Sequence, residues 1–361
     1  MEQDMSVINF GNSVSLAQAA AIILATPQNR YLLRGEPGIG KSSILKMLGA
    51  ARPEYNTAYM DVPNMDLGDI AMPVIDHENK VTRYYPNSRF RLHEGKPVII
   101  MLDEFTKGAE PIKNMLHPLL EVANPRLGDI SIDTNSVIFL TGNLGTDGVG
   151  DSLKAHTMNR IIPLTIRKPT AEEWLDWAAN NNIDGIIMAW VDRFKHCMAS
   201  YTDSDYDAAN NPYVYNPRKP QGAFVSPRSL ERASNIVSVR GQIDAETMIN
   251  ALTGALGESA SRDIAAFIDY KDQLPTMASI MADPHHAQLP TSVGAYAVMV
   301  FSAVTSITAE TLTPFMTYLE RAPVEWQSTF CITLTKNKTK QRLAYSNAKF
   351  GEWMIRNEDV L

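Results

Sequence analysis

Eight consecutive residues, Gly35-Glu36-Pro37-Gly38-Ile39-Gly40-Lys41-Ser42, satisfy every fixed position of the pattern G-x-x-x-x-G-K-S/T. The glycines let backbone N–H groups turn inward and cradle phosphate oxygens. The ammonium of Lys41 can then reach the β- and γ-phosphates, and the hydroxyl of Ser42 is placed to ligate Mg²⁺. Ser43 follows at the start of an expected helix, whose positive end adds to the field on a bound anion. The spacing therefore predicts a nucleotide-binding loop made of Gly35, Glu36, Pro37, Gly38, Ile39, Gly40, Lys41, Ser42 and Ser43.

A second group of residues suits hydrolysis. The apolar run 98–102 ends in Asp103-Glu104, an acid pair at a strand end, where open α/β sheets bind ligands. Asp103 is expected to hold Mg²⁺, directly or through water, and Glu104 to orient and polarise an attacking water. The run 139–143, Phe-Leu-Thr-Gly-Asn, would bring the Asn143 amide beside the same phosphates. Arg160 precedes an apolar strand, and Arg228 falls in the first turn of a helix. Either guanidinium can stabilise the charge that spreads over a transferring phosphoryl group.

These groups need a scaffold of strands and helices. Residues 31–34 read as a short strand, 35–40 as a glycine turn and 41–51 as a helix stopped before Pro53. Further strands are expected at 57–62, 97–102, 136–140 and 161–166. A helix is expected at 109–122, kinked at Pro118, with a turn at 124–129. The stretch 63–91 reads as irregular, with a hairpin near Glu78-Asn79-Lys80. Lys168-Pro169-Thr170 marks a boundary, and Thr170 with Glu173 forms a capping box for the next helix. Beyond it the pattern is helical, at 170–180, 186–201, 228–239, 244–256 and 258–270, with two more helices in 293–319. The interval 203–222 is a polar loop. The last ~30 residues are polar and mixed and give no clear reading.

Composition narrows the functional classes. At 361 residues the chain exceeds the ~250–300 residues of a single core, and 45% apolar with 20% charged residues is ordinary globular usage. With 33 Lys+Arg against 40 Asp+Glu the net charge is −7, which gives no general support for nucleic-acid binding. Cys197 and Cys331 are far apart and read as reduced, buried thiols of a cytosolic protein. The acidic N-terminus shows no signal-peptide pattern. The uncharged run 287–309 contains Pro290 and Gly294 and reads as a buried helix rather than a membrane span. The histidines, including the adjacent His285 and His286, lack zinc-ligand spacing. Trp174 and Trp177 are expected to pack in a core. Tyr84-Tyr85, near Arg83, Arg89 and Arg91, are expected as strand aromatics buried beside solvated charges, with stacking on single-stranded nucleic acid the other possibility.

Taken in order, GEPGIGKS at 35–42, IIMLDEF at 99–105, IFLTGN at 138–143, MNR at 158–160 and SPRSLER at 226–232 resemble the motifs of AAA+ ATPases. The likeness is to the MoxR-like and dynein-related group of bacteria and phages, and it covers residues 7–240. In that family these motifs are Walker A, Walker B, sensor 1, the arginine finger and sensor 2. The resemblance implies a P-loop NTPase core of three αβα layers on a parallel sheet (1–168), an all-helical lid (169–245) and a mostly helical C-terminal extension (246–361). It implies ATP/ADP and Mg²⁺ as ligands. Asn143 would sense the γ-phosphate, Arg160 would act in trans on a neighbouring subunit, and Arg228 would act in cis from the lid. A finger used in trans requires a homo-oligomeric ring, usually a hexamer.

Such rings remodel or chaperone a protein partner, often one carrying a von Willebrand factor A domain, in the cytoplasm (the host's, if phage-encoded). The stretch 63–91 and the turn 124–129 fall where such ATPases carry pore-facing insertions; ordinary surface loops are the other reading. Two further functional classes stay open, a nucleic-acid motor of translocase or helicase-loader type and a nucleotide switch that barely hydrolyses.

Overall fold

The computed structural model describes residues 13–144, 153–203, 211–216 and 222–358. The polar interval 203–222 therefore lies largely outside the described residues. The chain divides into two compact units, Met1–Lys168 and Pro169–Leu361, with the division at the Lys168-Pro169 boundary.

The first unit runs α1 (Leu16–Ala25), β1 (Tyr31–Arg34), α2 (Ser43–Ala51), β2 (Asn56–Asp61), β3 (Ala71–Asp76), β4 (Val81–Pro86), β5 (Val98–Asp103), α3 (Glu110–Leu116), β6 (Arg126–Leu127), β7 (Ile130–Ser131), β8 (Val137–Gly142), α4 (Ala155–Met158) and β9 (Ile162–Thr165). Five strands form one parallel sheet in the order β2-β5-β8-β1-β9. In β5 the residues Val98–Leu102 are all buried, as an apolar run covered on both faces requires. Alternation along the strands divides the core. Leu32, Ile100, Leu102, Ile138 and Leu140 pack with Ile112 and Leu116 of α3. Tyr31, Leu33, Ile99, Met101 and Phe139 pack on the other face with Ala19 and Ile23 of α1 and with Ile44 and Leu48 of α2. Helices on both faces of a parallel sheet make a three-layer α/β unit of the P-loop NTPase type.

Three expectations are modified here. The helix expected at 109–122 ends at Leu116 and continues as a 3₁₀ turn, His117–Leu120. Pro118 has no N–H, and its ring would strike the carbonyl four residues back. The apolar strand at 161–166 is an edge strand with Ile162 exposed. The hairpin expected near Glu78-Asn79-Lys80 is present as the antiparallel pair β3–β4, but its aromatics lie otherwise than expected. Nearly all of that hairpin is exposed, Tyr84 at 44% and Tyr85 at 43% among them, so these tyrosines are not buried strand aromatics.

The second unit is helical: α5 (Ala171–Ala179), α6 (Gly185–Arg193), α7 (Pro227–Ser238), α8 (Ala245–Leu256), α9 (Glu258–Gln273), α10 (Met277–Ala282), α11 (Val293–Ser306), α12 (Ala309–Leu319), α13 (Val324–Lys336), α14 (Gln341–Ser346) and α15 (Ala348–Arg356). Thr170 and Glu173 form the expected capping box. One hydrophobic core runs from Ala171 to Trp353, so the segments 169–245 and 246–361 pack as a single body rather than as a lid and a separate extension. The close meeting of α6 and α11 accounts for this. A Cβ on Gly185 would stand 2.4 Å from the Ser302 amide nitrogen, so only glycine lets the helices approach this far.

Trp174 is buried as expected, but Trp177 is 40% exposed, because α5 buries a stripe narrower than the pair spans. The poorly legible C-terminus forms α13 to α15, anchored where the Trp353 indole donates to Gln327 Oε1 at 2.6 Å. Cys197 and Cys331 are buried and form no disulfide. Among the described residues no helix is long and apolar enough to cross a membrane.

Candidate active site

The glycine turn leaves β1 and enters α2. Gly38 (φ 76°) and Gly40 (φ 99°) adopt left-handed backbone that disfavours a side chain. Gly35 is required by packing instead, since a Cβ there would stand 2.6 Å from Ile39 Cδ1 and 2.8 Å from the Ile166 carbonyl. Ser43 Oγ donates to the Gly40 carbonyl at 2.6 Å and pins the turn to the helix start. Among the described residues the N–H groups of Gly38, Gly40 and Ser42 donate to no protein acceptor. Three such donors at the N-terminus of a nine-residue helix suit a polyanion.

Lys41 crosses the turn. Its Nζ donates to the carbonyls of Gly35 at 2.6 Å and Glu36 at 2.9 Å and to Asn143 Oδ1 at 3.2 Å. Asn143 follows the end of β8, the strand between β1 and β5, which places its amide beside the loop. Ser42 Oγ lies 3.4 Å from Asp103 Oδ2 at the end of β5. Oδ1 of Asp103 accepts from Thr141 Oγ1, and that hydroxyl in turn accepts from the Glu104 amide at 3.0 Å. Glu104 has left-handed backbone, φ 50° and ψ 36°, uncommon for a residue with a Cβ. Its carboxylate pairs with Lys107 Nζ at 2.8 Å.

Lys41, Ser42, Asp103, Glu104 and Asn143 are thus together at the carboxyl ends of β1, β5 and β8. The arginines are placed differently. Arg160 follows α4, with Nη2 2.7 Å from Glu121 and Nη1 2.8 Å from His117 Nε2. Arg228 belongs to the second unit, just inside the N-terminus of α7. Three residues of the site were not anticipated. Tyr59 donates to Asp103 Oδ2 at 2.8 Å, Thr141 holds the acid pair together, and Lys107 holds Glu104. The strand register that sets Asp61 beside Asp103 brings Tyr59 within reach, and a sequence does not display register. Thr141 lay inside the 139–143 motif, and its place two residues before Asn143 was the available signal.

The donor set fits the ligands named by the sequence pattern. Ser42 Oγ and Asp103 Oδ2 are hard oxygen donors at the loop, and Mg²⁺ in nucleotide sites is usually held by one or two carboxylates plus substrate phosphates. Among the described residues no cluster of three His, Cys, Asp or Glu side chains could hold a metal alone.

No family model and no curated protein matches the chain. Among solved structures it is similar to a protein described as a putative ATPase of Cytophaga hutchinsonii, with 12% identity and a TM-score of 0.33 over 69% of this chain and 83% of that one. So distant a likeness bears neither on the site nor on its chemistry.

Proposed function

We propose that this chain binds ATP with Mg²⁺ in the turn 35–42 and hydrolyses it. One observation carries the reading: Lys41 meets Asn143 at 3.2 Å while Ser42 meets Asp103 at 3.4 Å, so a glycine turn, a cation, a hydroxyl, two carboxylates and an amide converge. The loop amides and Lys41 hold the phosphates. Ser42 and Asp103 are the residues that would hold Mg²⁺, which when bound offsets phosphate charge. Glu104 orients a water in line with the γ-phosphorus and accepts its proton. The new P–O bond forms as the bond to the ADP oxygen breaks. Asn143 holds the γ-phosphate side of the pocket.

The finer reading is a MoxR-like AAA+ ring, hexameric, in which Arg160 serves the neighbouring subunit and Arg228 its own, and in which turnover remodels a protein partner such as one with a von Willebrand factor A domain. It is supported by the order of the five motifs. The experiment is binding of labelled ATP to wild type and Lys41→Ala. Loss of retained nucleotide in the variant is expected, and undiminished retention would sink the proposal. For the ring, Arg160→Ala mixed with Glu104→Gln subunits should regain turnover that neither has alone, and absence of rescue at every ratio counts against action in trans.

A second reading, a nucleic-acid-directed motor, is favoured by one observation. Tyr84 and Tyr85 stand exposed on β4 beside Arg83, a combination that can stack bases and hold phosphates. Stimulation of turnover by single-stranded DNA or RNA, set against stimulation by a protein partner, separates the two.

A further inference from the structure

Within the helical unit, a cavity of about 300 Å³ opens between the end of α9, the helices α10, α11 and α12, and Arg240 just beyond α7. Its polar lining carries two cations, Lys271 and Arg240, one carboxylate, Asp272, and the hydroxyl residues Thr276, Ser302 and Ser306. The facing wall is apolar and built from Met277, Met299, Phe315 and Tyr318. Tyr318 spends its hydroxyl elsewhere, donating to the Gln288 carbonyl at 2.8 Å, and so offers ring rather than phenol.

The two cations are unequally matched. Asp184 Oδ2 is 3.9 Å from Arg240 Nη1, and Asp184 also caps α6 by accepting from the Ile186 amide at 2.8 Å. Among the described residues Lys271 makes neither an ion pair nor a hydrogen bond through its ammonium. Burial pushes that ammonium below its ordinary range and Arg240 adds to the effect, against attraction from Asp184 and Asp272. Asp272, which also lines the cavity, is exposed and screened by water. Among the described residues the half-buried Lys271 is therefore left with no ion pair of its own, attracted only at longer range by Asp184 and Asp272, and an ammonium partly withdrawn from water without a direct partner is costly.

We propose that this cavity binds an amphipathic monoanion, a carboxylate held between Lys271 and Arg240 with a short unbranched apolar body against Met277, Met299 and Phe315. The Lys271 ammonium, which has no ion pair of its own, selects a negative charge, and the apolar wall selects the body. A free phosphate dianion has no such body. The site lies wholly inside the second unit and does not depend on the nucleotide reading.

Octanoate is the probe, titrated calorimetrically into the full chain without nucleotide, with octan-1-ol and inorganic phosphate as comparators. One saturable octanoate site is expected, at least about tenfold tighter than octanol, and Lys271→Met should weaken it about tenfold, as loss of a charge-assisted contact does. Octanoate should also protect Lys271 of the unmodified chain from reductive methylation, read by peptide mass. That measurement decides the matter even if the variant fails to fold. Octanol binding as tightly as octanoate, phosphate outcompeting it, or Lys271 methylated at the same rate with and without octanoate would each overturn the assignment.

Discussion

The phenol of Tyr59 donates to Asp103 Oδ2 at 2.8 Å, the oxygen that also faces the Ser42 hydroxyl at 3.4 Å. With Thr141 on Oδ1, three hydroxyls from β2, the start of α2 and β8 fix the plane of one carboxylate. Its orientation is therefore set by protein groups before any cation arrives. Burial and Asp103 together push the Tyr59 phenol up, so it remains a donor across the physiological range. Tyr59→Phe removes one hydrogen bond to a charged group from a half-exposed position. The expected result is a roughly three- to tenfold rise in the Mg²⁺ concentration giving half-maximal nucleotide retention, with little change in saturated binding. An unaltered Mg²⁺ titration would show that Tyr59 has no part in positioning Asp103.

Glu104 and Lys107 bear on rate rather than binding. The residue read as the water-orienting carboxylate is held in left-handed backbone and paired to Lys107 at 2.8 Å, with both side chains more than a third exposed. Exposed pairs contribute ~0.2–1 kcal/mol. Lys107→Ala should therefore raise basal ATP turnover by up to about fivefold at unchanged nucleotide affinity, because Glu104 no longer leaves the pair to meet water. A fall in turnover instead would make Lys107 a participant in the chemistry. Glu104→Gln should retain nucleotide and lose turnover.

Much of the first unit was legible because its signals are local. The run 98–102 has one explanation, a strand covered on both faces, and it ends in the acid pair where a parallel sheet exposes its ligand-binding edge. Lys41, Ser42, Asp103, Glu104 and Asn143 were anticipated on such grounds and are brought together in the structure. What escaped depends on partners distant in sequence. Tyr59 reaches Asp103 only through the β2–β5 register, and the exposure of Tyr84 and Tyr85 follows from a hairpin that leaves the sheet. In the helical unit, capping at Thr170 could be read, but the packing of 169–245 with 246–361 rests on contacts between distant segments, such as Gly185 meeting Ser302 and Asn337 donating to the Ala179 carbonyl. The polar C-terminus hid α15, which is held by partners distant in sequence: the Trp353 indole on Gln327, Lys349 and Arg356 on Glu320, and Phe350 in the core.

The β3–β4 hairpin is held to the unit at a turn. Gly128 has φ 57°, and a Cβ there would stand 2.3 Å from the Tyr84 carbonyl oxygen. Its neighbour Asp129 donates its amide to that oxygen at 2.9 Å and accepts from the Tyr84 amide at 2.7 Å. Gly128→Ala should cost ~1–3 kcal/mol from backbone strain and the lost contact. It should also open residues 77–80 to limited proteolysis. Gly241→Ala, where no atom lies within 4 Å of the added Cβ, is the control and should stay within ~0.5 kcal/mol of wild type. Equal proteolysis of both variants would mean that the turn does not anchor the hairpin.

Arg160 carries a pH dependence through His117. Its Nη1 lies 2.8 Å from His117 Nε2 while its Nη2 pairs with Glu121. Burial lowers the His117 pKa below its ordinary value of 6.5, the cation of Arg160 and then His156 lower it further, and Glu121 opposes them. In the unfolded chain His117 titrates near the ordinary value. Above it both states hold a neutral ring and this group contributes no slope. As pH falls below it the unfolded state gains a proton that the folded state resists, so folding stability drops, and the drop levels off once the folded ring is protonated. His117→Gln keeps a neutral hydrogen-bonding side chain and cannot charge. The stability of wild type minus that of His117→Gln, from urea unfolding at pH 8, 7, 6 and 5, should be flat down to about 7 and decline below 6.5. Parallel pH profiles for the two proteins would show that burial and Arg160 do not lower the His117 pKa in the folded chain.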